Sequence, residues 1–188
     1  MAAAVIAILS WWLFIYIPNH EVHIEEKIHL LKMNARPMRL KIVTRSNGTA
    51  KVAVKFFDLD NNNVGRCEQE YSGRDITLRI TDVDICGRHI YFPCEMVQCG
   101  DGDTIRLPLK PYYTKDGFPM TYNSPNADPQ LNHEIGLLYD RIQSGKLTDV
   151  AKMYHGTIKQ TEITLTDPAE LVNYTLTTSA NGRMRISN

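Results

Sequence analysis

Cys86, His89, Cys94 and Cys99 stand at C-x2-H-x4-C-x4-C, the thiol and imidazole types that hold tetrahedral zinc. A compact zinc loop also needs glycines that let the backbone wrap around the ion. Here Ile90-Tyr91-Phe92 fills the space after the histidine and reads as a strand. Zinc on these four residues is therefore the lesser reading. The chain has four cysteines, and the even number suits disulfides in an oxidising compartment, with Cys67 as the outside partner for one of the clustered three. Pairing is the expectation, unpaired structural thiols are the alternative, and the sequence does not choose the connectivity.

Oxygen donors recur through Asp58-Leu59-Asp60-Asn61-Asn62-Asn63-Val64-Gly65, as at the start of a calcium loop. An EF-hand needs glycine at the sixth position and a bidentate glutamate at the twelfth, and Asn63 and Gln69 stand there instead. The segment is expected to be a turn between strands, because Asp, Asn and Gly tolerate positive φ and bond their own backbone. His20-Glu21-Val22-His23 lacks the spacing of a helical zinc protease motif, and Gly100-Asp101-Gly102 has Ile105 where a dinucleotide loop needs its third glycine. No Walker loop and no G-x-S-x-G elbow is present. Asp82 and Asp84 share one face of a β-run, which a solvated strand end explains without chemistry. No catalytic residue, cofactor or metal is assigned.

The stretch from Pro108 to Pro129, PLKPYYTKDGFPMTYNSPNADP, combines five prolines with Tyr112, Tyr113, Phe118 and Tyr122. Long irregular loops inside a compact domain are uncommon and often functional. Stiffened aromatics lose little entropy on binding, so these four are the candidate recognition surface. The competing expectation is a loop that folds back over a sheet edge or a helix and uses its aromatics as core. Asn47-Gly48-Thr49 and Asn173-Tyr174-Thr175 match the glycosylation acceptor pattern, which matters only in a eukaryotic secretory lumen.

The elements that must position these residues are mostly strands. Met38-Arg39-Leu40-Lys41-Ile42-Val43-Thr44 and the run around Val52, Val54 and Phe56 flank Asn47-Gly48, a hairpin pattern with a type I′ turn. Further β-runs are expected at 66–71, 76–80, 89–92, 104–109, 162–166, 171–178 and 183–187, the last two flanking Asn181-Gly182. One helix is predicted over 129–144. Asp128 caps it, Pro129 starts it, and Leu131, Ile135, Leu138 and Ile142 recur at helical spacing. The fold class is thus mainly β, a sandwich-like or open-barrel antiparallel domain over 38–188 with one packed helix.

Residues 1–18 precede this domain as a different kind of segment. Ala2 to Ile17 carries no charge, and Trp11, Trp12 and Tyr16 lie toward its end, before Pro18. With about 17 to 25 apolar residues needed to cross a bilayer, the run is short but adequate for a single-pass anchor. It lacks the small-x-small site and basic lead of a cleaved signal peptide, and the missing lead also fits a sequence that continues upstream. Residues 19–37 form a juxtamembrane segment. Lys27, Lys32 and Arg36 favour a cytoplasmic domain under the positive-inside rule, whereas paired cysteines favour the outer side. On that balance the outer side is the expectation.

The 21 basic and 21 acidic residues cancel, so no global field gathers nucleic acid. The functional expectation is a membrane-anchored, single-pass binding module whose β domain captures a protein or surface component. Two alternatives come from other classes: an anchored hydrolase or thiol enzyme whose site assembles only in the fold, and a structural subunit of an envelope complex.

Overall fold

The computed structural model describes residues 24, 25, 27–31, 34–99, 104–145 and 156–188. The expected anchor at 1–18 lies outside the described residues. Among the described residues, no helix is long and apolar enough to cross a membrane.

Among the described residues, eleven strands and one α-helix of 15 residues follow in order. β1 (Asn34–Ser46), β2 (Thr49–Phe57) and β3 (Asn63–Ser72) form a meander. β4 (Ile76–Ile85), β5 (Arg88–Cys99) and β6 (Thr104–Pro108) form a second one. A small hairpin of β7 (Thr114–Lys115) and β8 (Phe118–Pro119) precedes α1 (Pro129–Gln143). β9 (Thr157–Leu165), β10 (Asn173–Ser179) and β11 (Met184–Ser187) close the chain. β9 joins the second meander beside β4, and β10 and β11 return to the first beside β1. The result is a five-stranded sheet, β11-β10-β1-β2-β3, and a four-stranded sheet, β6-β5-β4-β9. All these pairings are antiparallel and neither sheet closes on itself, so the barrel alternative gives way to a sandwich-like arrangement.

Alternation explains the sheets. Met38, Leu40 and Ile42 on β1 face the same way as Val52, Val54 and Phe56 on β2 and Leu176 on β10, and all are buried. Ile76, Leu78 and Ile80 of β4 join them in one core cluster. Two-residue turns set the registers. Asn47-Gly48, Cys86-Gly87 and Asp116-Gly117 each place both residues at positive φ, as a type I′ hairpin requires. The first of these is the predicted hairpin. Asn181-Gly182 also falls in a hairpin, though one with a longer loop, in which Ser179 N–H donates to Arg183 O.

The helix begins where its signals put it. Asp128 accepts from the N–H groups of Gln130 and Leu131 at 2.8 and 3.2 Å, and Lys27 donates to its carboxylate at 3.0 Å. Leu131, Ile135, Leu138 and Ile142 are buried as expected, with Tyr139 added to the same face. Lys27 belongs to the juxtamembrane segment at 19–37. Ile24, Ile28 and Leu31 of that segment are core residues, and β1 already begins at Asn34. Pro37 had hidden this start. It lies at the register shift between Ala35 and Met38, where a missing N–H costs no ladder bond.

Candidate functional site

The proline-rich loop is cover before it is anything else. β6 pairs only with the Glu95–Cys99 half of β5, which leaves the first half of that edge without a strand. The loop and its neighbours satisfy it piece by piece. Tyr122 Oη accepts from Tyr91 N–H at 2.7 Å and donates to Tyr91 O at 3.0 Å. Tyr113 Oη donates to Pro93 O at 2.7 Å, Leu109 N–H donates to Cys94 O at 2.8 Å, and His89 N–H donates to Ala180 O at 2.9 Å. Burial raises the pKa of both phenols well above the ordinary tyrosine value, so they stay protonated and remain hydrogen-bond donors. Phe92, Tyr122, Tyr139 and Tyr113 then pack ring against ring beneath α1.

Of the four recognition candidates, therefore, Tyr113 and Tyr122 are buried and Phe118 is half-buried, while Tyr112 is 37% exposed. The hydroxyls of Tyr113 and Tyr122 already serve β5, and of these two buried residues Tyr122 also lines an open groove beside α1. Tyr112 is fixed from behind by Gly65 of β3. A Cβ there would fall within 1.7 Å of the Tyr112 carbonyl oxygen, so only glycine lets the two backbones approach.

The cysteines do not converge. Cys67 is buried in β3 of the other sheet, Cys86 is exposed in the β4–β5 turn, and Cys94 is half-buried in β5; all three are free thiols. Six strand positions of roughly 3.3 Å separate Arg88, beside Cys86, from Cys94, about 20 Å in all. No disulfide links these three, and one zinc ion could not span them. Cys94 Sγ instead sits 3.0 Å from Thr81 Oγ1 and donates to Phe92 O at 3.2 Å. The side chain of Cys99 lies outside the described residues. Among the described residues, no group of three or more His, Cys, Asp or Glu is placed to hold a metal. At Asp58, the calcium-like segment is the expected turn: its Oδ1 accepts from the N–H groups of Asp60 and Asn62 at 2.9 and 2.8 Å.

The four-stranded sheet does assemble one polar cluster. Register puts Asp82 opposite Tyr91 and Lys159, and Asp84 opposite His89, so all five share a face. Asp82 is 3% exposed. Its carboxylate meets His89 Nδ1 at 2.7 Å and Lys159 Nζ at 3.1 Å, which is how a buried charge is held. The His89 ring stacks on Tyr91 at 6.0 Å, and His89 Nε2 lies 3.9 Å from Asp84 Oδ2. Gly182 covers the other side: a Cβ on it would fall 2.8 Å from Nε2. The β10–β11 hairpin thus rests on the imidazole. An aspartate that orients an imidazole is half of a general-base device, but the other half, a nucleophile within reach of Nε2, is not among its contacts. Tyr91 Oη is buried without a partner.

Asp82 and His89 were visible in the sequence as a strand-end acid and a zinc candidate, but not as partners. Lys159, Tyr91 and Gly182 were missed. The β-run expected at 162–166 starts too late to include Lys159, because Lys159, Gln160, Thr161 and Glu162 hide the alternation of β9.

Open grooves are also present among the described residues. One, of about 470 Å³, lies between α1, the Asp58 turn and the segment at Leu30 and Leu31, with Tyr122, Ser124, Leu131 and Ile135 in its lining. Leu30 at its rim is 54% exposed. Another, of about 620 Å³, runs along the β10–β11 hairpin and is polar, with Arg183 and Arg185.

No family model, no curated protein and no solved structure matches this chain.

Proposed function

We propose that this chain is a membrane-tethered binding domain without catalysis of its own, with Ala2 to Ile17 as the tether and a protein as its partner. The observation that carries the reading is the packing of Ile24, Ile28 and Leu31 into the core. Six residues, Pro18 to His23, separate the apolar run from that core. At about 3.5 Å each they reach no more than roughly 20 Å, so the α1 end of the domain would be held close to the bilayer. The groove lined by Leu30, Leu31 and Leu131 lies at that same end, and we assign the partner to it.

We further propose that the domain lies on the cytoplasmic side. Cys67, Cys86 and Cys94 stand apart and free, which removes most of the reason to invoke an oxidising compartment. Lys27, Lys32 and Arg36 then decide, and they favour the cytoplasmic side.

The second reading, an anchored hydrolase, draws on the Asp82 and His89 pair alone. His89→Ala separates it from the first. A binding domain keeps partner capture as long as it stays folded, whereas a hydrolase loses turnover of its substrate.

The test is extraction in mild detergent and identification of co-purifying chains, with Leu30→Asp alongside wild type. The variant is expected to keep its melting temperature, because Leu30 is exposed, and to lose one defined partner. Equal recovery of every partner would remove the groove from the account.

A further inference from the structure

The solvent face of the five-stranded sheet is basic although the whole chain is neutral. Arg39 of β1 stands directly opposite Lys55 of β2, and Lys55 directly opposite Arg66 of β3. Paired residues share a face, so three cations line up across three neighbouring strands, about 5 Å apart from one to the next. Like charges placed opposite one another destabilise a sheet. Lys41, two residues from Arg39, lies on the same face, as does Arg185, which pairs with Thr177 two strands away. None of these five makes an ion pair among the described residues. Glu68 and Glu70 of β3 are carboxylates on this face; Lys51 holds Glu68 at 2.8 Å and keeps its pKa down, helped by the charge of Arg66 two residues along the strand. The Arg39 guanidinium lies over the Phe57 ring at 5.1 Å, which keeps it flat against the sheet.

We propose that this face docks on an anionic lipid surface. The inference rests on the reading of Ala2 to Ile17 as a membrane tether. A sheet face is flat on the scale of a bilayer, and its cations spread over four strand spacings, about 19 Å, matching many headgroups rather than one pocketed phosphate. The basic residues after the tether put the domain beside the leaflet that carries anionic lipid. Charge complementarity therefore explains like charges set directly opposite one another at a cost to the sheet.

The test uses the full chain in two vesicle preparations, phosphatidylcholine alone and phosphatidylcholine with phosphatidylserine. Sedimentation reports insertion, and acylation of Lys41 and Lys55, read by mass spectrometry, reports docking. The expected result is pelleting with both vesicles and several-fold slower acylation of the two lysines only on the anionic ones, the protection vanishing at about 0.5 M salt. Arg39→Glu with Arg66→Glu is expected to abolish that protection while the chain still pellets. Pelleting with equal acylation on both vesicles overturns the docking face and leaves the tether standing. Pelleting on anionic vesicles alone, lost in the double variant, overturns the tether and keeps the face. Protection by a single-stranded oligonucleotide in place of anionic vesicles overturns lipid as the occupant and assigns the face to nucleic acid.

Discussion

Tyr122 shows what a single residue does in this protein. Its hydroxyl replaces a missing strand at Tyr91, accepting from the amide and donating to the carbonyl. Tyr122→Phe leaves both backbone groups buried and unpaired, at a cost of about 1 to 3 kcal/mol in denaturant unfolding. A variant as stable as wild type would mean that the edge is held by something else. Cys67 and Cys86 differ as sharply. Burial pushes the Cys67 thiol up to about 11, so it stays protonated at neutral pH, whereas Cys86 projects from a turn. Alkylation of the native chain is expected to modify Cys86 first and Cys67 only on unfolding. An impermeant reagent applied to intact cells is expected to spare Cys86, since the domain is assigned to the cytoplasmic side. The aromatics of the proline-rich loop were legible as apolar area in need of a place. Their target was not, because the bare half of β5 exists only once β6 has paired and stopped short.

At the scale of elements, local chemistry was readable and register was not. Asn47-Gly48 and Asp128-Pro129 carry their turn and cap in two residues each, and the structure keeps both. Cys86-Gly87 makes the same kind of turn without a residue that signals one, since cysteine at positive φ is uncommon. The pairing of Asp82 with His89 runs diagonally across that hairpin and could be derived only from its register. Helix α1 and the β9–β10 connection share a device that gives them a common pH dependence. The Lys27 ammonium, with the amides of Leu131 and Gln130, holds the Asp128 carboxyl below its ordinary value of 3.8. Arg74, then Arg45, does the same for Asp167. A depressed folded value means that both contributions are present above the ordinary value and are lost as pH falls through the folded one. The melting temperature is therefore expected to fall as pH drops below the ordinary carboxylate value of 3.8, and Asp128→Asn, which keeps a capping oxygen, is expected to flatten that fall. An unchanged slope would show that the helix cap does not titrate with folding.

For the whole molecule, the fold class was legible because alternation is a property of each strand, and the run of sheets followed from counting them. The assignment of strands to two sheets was not, since β9 and β10 join partners from opposite ends of the chain. The interior of the described residues is filled by ring and aliphatic packing. The functional proposals rest on surface features: a groove at the α1 end, a basic sheet face, and the connection to the apolar run. The tether is the claim from which the rest descends, and it is tested by disrupting cells expressing the full chain and spinning the lysate at high speed in alkaline, high-salt buffer without detergent. The account predicts that the intact chain pellets with membranes and is released only by detergent. Recovery of the intact chain in the supernatant would contradict it.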